Sequence, residues 1–340
     1  MKQTRNSSIE VLRMLAILGI VIMHTNGTVM EQCSGWKQVW IQIENGFFNA
    51  GVSIFVLISG YFGIKCSVRK LIELETTVIF YAVISAIIGY YFYGEGVFNI
   101  IKSFIPISTN RYWFISYYIL LMIFSTYINK AADSMNQQQY MQLLILMSMV
   151  FLVIPTFVYY SILGSKNVIN MLLLYFLGAY IRRYNQDEKY DKRLLLKVFI
   201  FTTAMNIMLN LGISILVGGK AHIPFARDCS VFIVIEATAL FMIFLKYEFH
   251  SNIINIAARH VFAVYLFEGA FRQILEKFVF DYNIYGNKWY WPLISIAVSI
   301  VTMSICMAID VIVQRLLEPL RKVVLKLSEH VVGKIKEYSR

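Results

Sequence analysis

Apolar residues run the length of this chain in stretches of near-spanning length, broken by short polar segments. The stretches fall at roughly 9–30, 47–64, 72–92, 112–129, 140–160, 168–182, 195–217, 229–246, 259–277 and 289–313, and about 20 apolar residues suffice to carry a helix across a ~30 Å hydrocarbon core. Alternation of apolar and polar residues, the period of a strand, is absent. The predicted elements are therefore helices, about ten of them. Beyond Val313 the pattern changes: Leu316, Leu320, Val323, Val324, Leu327 and Val331 recur three or four apart, with Arg315, Arg321, Lys322, Lys326, Lys334 and Lys336 between them. This predicts a basic amphipathic helix lying on an anionic leaflet.

Composition agrees with that picture and fixes the solvent. With 58% hydrophobic and 15% charged residues among 340, too little polar surface exists to cover a water-soluble body. The expected architecture is all-α, a polytopic integral membrane protein with one membrane domain over residues 1–315 and a cytoplasmic tail over 316–340. Lys2 and Arg5 precede the first apolar core as in a secretory signal, but no small-residue cleavage site follows, so the segment is expected to stay attached.

Charge adds orientation. With the N-terminus in the cytoplasm, 22 of the 31 lysines and arginines fall on the cytoplasmic side, which predicts both termini inside and an even number of crossings. The net charge of +11 is then a topology signal, and no nucleic-acid partner is expected. Cys33, Cys66, Cys229 and Cys306 have no metal-ligand spacing and form no disulfide framework, and no metal is expected; Cys33 and Cys229 share the outer side in this topology and could pair. No internal repeat supports an inverted-repeat transporter.

Two polar residues in the first apolar stretch carry the strongest chemical signal. Arg13 and His24 are eleven positions apart with almost nothing polar between them. At about 100° per residue their directions differ by roughly 20°, and at 1.5 Å per residue they are about 16 Å apart along one helix face. Ionisable groups inside a span are costly, so each invites a functional explanation. A core histidine satisfied by a neighbouring carbonyl is the bland alternative for His24, and a snorkelling cation is the bland alternative for Arg13.

Several motifs share a source. Glu10, Arg13 and His24 resemble the opening of the membrane-bound acyltransferase family 3, in which an acidic residue stands three before an Arg and a His follows after ten mostly apolar positions; here Glu10 stands where Asp is commoner. Ser59-Gly60-Tyr61 at the end of the second stretch resembles the family's Ser-Gly-aromatic signature. Lys65, Arg69 and Lys70 follow it where family members often carry paired Arg. Arg111-Tyr112-Trp113-Phe114 is similar to the Trp-Phe opening of a later helix, and Val264-Tyr265-Leu266-Phe267-Glu268 is similar to a Tyr-Leu-x-His element with Glu268 in place of the His. A pairing of Glu268 with Arg272, one turn on, is expected.

The resemblance implies an O-acyltransferase that moves an acetyl group from acetyl-CoA, its donor, to a hydroxyl of a cell-envelope or exported polysaccharide or of its lipid-linked precursor. It implies His24 as catalytic base, with Glu10 beside the catalytic machinery; Arg13, Arg69 and Lys65 as contacts for the donor; and Ser59, Tyr61, Arg111, Trp113 and Glu268 as substrate contacts. Imidazole, whose ordinary titration lies nearest neutrality, suits the base. The expected partners are the lipid bilayer, a glycan or lipid-linked glycan acceptor and, as a candidate, a second copy of the chain; the expected location is a bacterial plasma membrane. A non-enzymatic transporter or flippase for an envelope precursor, with His24 relaying protons, is the alternative. Direct transfer and an acyl-enzyme are both open.

Overall fold

A computed structural model describes residues 6–30, 36–158, 166–184, 190–218, 222–286 and 288–338; the side chains of 36, 37, 283 and 329–338 lie outside the description. The described residues form helices and connecting turns. In chain order these are α1 (Ser7–Met30), α2 (Trp36–Phe48), α3 (Gly51–Phe62), α4 (Val68–Tyr93), α5 (Val97–Lys102), α6 (Trp113–Ser134), α7 (Gln137–Ser148) and α8 (Ile154–Phe157). There follow α9 (Val168–Tyr184), α10 (Lys192–Leu216), α11 (Val231–Leu245), α12 (Asn252–Ala257), α13 (Val261–Phe278), α14 (Tyr282–Gly286) and α15 (Trp291–Tyr338). Helices satisfy their own backbone groups, which is what lipid demands of a spanning segment.

The chain is a multi-pass membrane protein. Among the described residues seven helical segments are long and apolar enough to cross: Ser7–Met30, Gln38–Phe62, Val68–Tyr93, Gln137–Phe157, Lys192–Leu216, Asn252–Phe278 and Trp291–Ser328. The other three expected stretches are helical but differ from a full span. Tyr, Ser and Asn dilute α6, while α9 has 17 residues and α11 has 15.

Three of the crossings are built from joined pieces, Asn252–Phe278 joining α12 to α13 through the turn Ala258–His260, and in the other two the sequence explains where they break. Between α2 and α3 the Asn49 side chain leaves the helix pattern and donates through Nδ2 to the Ala226 carbonyl, and Gly51 follows, so close to the Ala16 carbonyl of α1 that a larger residue would collide. Between α7 and α8 the turn Met149–Val153 widens to a π-helix ahead of Pro155, which has no N–H to donate. A third feature is a close crossing of α3 and α9. A side chain at Gly60 would meet the Tyr175 backbone, and one at Gly178 would meet the Leu57 carbonyl. Here the small residue of Ser59-Gly60-Tyr61 lets two backbones touch.

The tail beyond residue 315 continues the helix of the last crossing. α15 runs unbroken through that position for 48 residues with Pro319 inside it. Pro319 deletes the hydrogen bond to the Arg315 carbonyl and crowds that carbonyl with its ring, while Arg321 braces the helix against α4 by donating to Thr76 Oγ1 at 3.1 Å and Thr77 Oγ1 at 2.6 Å. At 1.5 Å per residue the helix is about 72 Å long, more than twice the hydrocarbon thickness. Cys66, Cys229 and Cys306 are free thiols, and Cys33 lies outside the described residues.

Candidate active site

Helical periodicity on α1 puts Arg13, Ile17, Ile20 and His24 on one stripe. The first three line a cavity of about 440 Å³, together with Ser59, Phe114, Tyr118, Arg259 and Tyr265. His24 is the next position on the stripe, one turn beyond Ile20. On α13 the same progression runs from Val261 and Phe262 through Tyr265 to Glu268 and Arg272, the first three again lining the cavity. The two stripes converge at His24 and Glu268.

Their contact is direct. His24 Nδ1 lies 2.7 Å from Glu268 Oε1, with the Glu268 side chain 6% exposed and the His24 side chain 47% exposed. An ionised carboxylate can only accept, so Nδ1 donates, and the lone pair is left on Nε2, on the part of the ring that remains reachable. Arg272 holds the junction from the far side. Its Nη1 donates to the His24 carbonyl, and its Nε is 3.7 Å from Glu268 Oε2, too far for a hydrogen bond. The pairing of Glu268 with Arg272 is thus electrostatic, whereas its hydrogen bond goes to His24.

The helix behind His24 is clamped. Asn26 is fully buried, donates through Nδ2 to Glu44 Oε2 at 2.9 Å and to Asn45 Oδ1 at 2.7 Å, and accepts from Trp291 Nε1 at 2.8 Å. A buried network whose members are satisfied fixes one rotation of α1, and with it the direction of His24. In the turn before α11, burial pushes the Asp228 carboxyl up to about 6 against the opposing pull of Lys166.

The cavity wall itself carries cations. Arg13 lies 3.5 Å from both oxygens of Glu10, its own carboxylate partner one turn earlier. Arg259 projects from the turn Ala258–His260 and joins it on the cavity wall. Across from them, Ser59 Oγ and the Tyr118 hydroxyl are 3.3 Å apart. Phe114 stacks on Tyr118 at 5.7 Å and meets Tyr265 edge-on at 5.8 Å, closing an otherwise apolar passage.

This arrangement gathers some of the sequence-predicted residues and separates others. His24 and Glu268 come together, and Arg13 and Ser59 share a cavity. Glu10 is fourteen positions before His24, about 21 Å along the helix, so it holds Arg13 and does not reach the imidazole. Arg69 and Lys65 do not line the cavity: Ser67 caps the start of α4 and leaves both outside, where Arg69 pairs with Glu73 at 2.8 Å. Tyr61 packs edge-on against Phe241 at 5.3 Å, away from the cavity. Arg111 is exposed, and Trp113 carries the Lys166 ammonium 5.2 Å above its ring; neither lines the cavity. The cation that does line it with Arg13 is Arg259, counted from sequence as a topology charge. Its signal was its place just before an apolar run.

A family model described as an acyltransferase domain matches residues 6–311. No curated protein and no solved structure matches the chain.

Proposed function

The chain belongs to acyltransferase family 3, whose model spans residues 6–311, and from that premise we propose that it is an O-acyltransferase moving an acetyl group from acetyl-CoA to a hydroxyl of a cell-envelope or exported polysaccharide, or of its lipid-linked precursor. The observation that carries this reading is a carboxylate-held imidazole one helical turn beyond a cavity whose wall holds two guanidiniums. Acyl transfer asks for that separation, because the phosphates of the donor and its thioester lie at opposite ends of a long arm. Arg13 and Arg259 hold the anionic end by charge-assisted hydrogen bonds. Nε2 of His24 takes the proton of the acceptor hydroxyl as its oxygen attacks the thioester carbonyl. Glu268 steadies the imidazolium that results, and the departing thiolate takes that proton when the tetrahedral adduct collapses.

Membranes carrying the protein, incubated with labelled acetyl-CoA, are expected to place label on extractable glycan. Label that stays on CoA or appears only as free acetate would count against the reading.

Arg13 gives a sharper test. Arg13→Lys keeps the charge and loses the planar fork, so the apparent KM for acetyl-CoA is expected to rise about tenfold, the loss of one charge-assisted contact, with a smaller change for the acceptor. Free exchange of Lys for Arg would show that Arg13 is an ordinary snorkelling cation.

The proposed topology has about ten crossings with both termini in the cytoplasm of a bacterial plasma membrane, supported by the Lys and Arg distribution. A C-terminal tag is expected to be reached by antibody or protease only after permeabilisation. Accessibility in intact cells would overturn it.

A further inference from the structure

Asp310 sits on α15 with 1% of its surface exposed and accepts three hydrogen bonds from three elements. Tyr81 of α4 donates to Oδ1 at 2.8 Å, Gln314 donates to the same oxygen at 2.9 Å, and His260 Nδ1 is 2.7 Å from Oδ2. Arg321 extends the cluster by donating to Gln314 Oε1 at 2.7 Å and to the two threonines of α4. None of these residues lines the cavity. One of them adjoins it: His260 follows Arg259 in the turn Ala258–His260, and both Ala258 and Arg259 are on the cavity wall.

His260 is also the N-cap residue of α13, yet its side chain makes no cap hydrogen bond. It spends its ring nitrogen on Asp310 instead. The turn is thus held from the α15 side, and the residue before His260 places a guanidinium on the cavity wall. We propose that Asp310 and His260 are positioning residues, which fix Arg259 where it meets the anionic part of the acyl donor. This rests on the reading of Arg13 and Arg259 as the donor's cationic contacts.

The test is equilibrium binding of coenzyme A to the purified full-length protein, followed by steady-state kinetics with acetyl-CoA. Asp310→Ala is expected to weaken CoA binding and raise the KM about tenfold, with kcat within about twofold, because a slackened donor contact serves ground and transition states alike. Arg259→Ala should show the same split, and the double variant should be no worse than Arg259→Ala alone, since Asp310 acts through Arg259. Tyr81→Phe, which leaves the His260 to Asp310 bond in place, should bind CoA as wild type does. If Asp310→Ala fails to accumulate in the membrane, His260→Ala removes the same link from the other partner. Additive losses in the double variant, or a fall in kcat with CoA affinity intact, would overturn the proposal. The binding series decides it whether or not transfer is seen, so failure of the proposed activity shows separately, as wild-type protein that binds CoA and transfers nothing.

Discussion

His24→Ala is expected to lower acyl transfer by about 10² to 10⁴ while the protein still accumulates in the membrane. The magnitude is that of a positioned general base removed from its reaction. Insertion should survive because exchanging a polar residue for Ala inside a span makes the segment more apolar. The Glu268 carboxylate loses its 2.7 Å partner but keeps the Arg272 guanidinium 3.7 Å away, so it is not left as an isolated buried charge. The imidazole is also nearly half exposed. Removing it should leave a space that solvent reaches, and exogenous imidazole should restore part of the rate. The checks are label transfer from acetyl-CoA to glycan, normalised to protein in the membrane, with and without added imidazole. A variant that keeps more than about a tenth of the wild-type rate would exclude His24 as the base.

How much of this was legible from the chain depends on what each residue's neighbours are. The Arg13 and His24 stripe was legible because both ends lie on one helix, where spacing alone sets direction. The glycine of Ser59-Gly60-Tyr61 was legible as a close-packing residue, and Gly60 does meet the backbone of α9. Contacts between distant helices were not legible. Glu268 is 244 positions from its histidine, and its local pattern pointed to Arg272, its own-helix neighbour at the favoured i, i+4 spacing. Local spacing found the electrostatic partner and missed the hydrogen-bonded one. Arg69 and Arg259 show the same limit in reverse. Both read as cytoplasmic cations, and only the capped start of α4 and the turn before α13 decide which one reaches the cavity. The helical repeat of the tail was legible from its three- and four-residue spacing; that α15 runs on through residue 315, with Arg321 bonded to α4, was not.

Glu268→Gln separates a catalytic dyad from a polar contact that only holds two helices together. The substitution keeps size and shape and still offers Nδ1 a hydrogen bond, so α1 and α13 should stay joined. It changes which way the bond can run. A carboxylate accepts and nothing else, which forces the proton onto Nδ1 and the lone pair onto Nε2; an amide can donate its own N–H to Nδ1 and leave the proton on Nε2, the nitrogen that must act as base. It also removes the negative charge that steadies the imidazolium as the hydroxyl proton arrives. Both effects act on the transition state more than on bound donor. The expected outcome is therefore a fall in kcat of about 10² or more with the KM for acetyl-CoA little changed, the pattern of an interaction made only in the transition state. Glu268→Asp, which retains the charge on a shorter stem, should fall between wild type and Gln. A Glu268→Gln enzyme with wild-type kcat would show that the contact joins α1 to α13 without tuning the imidazole, and His24 would then have to act unaided.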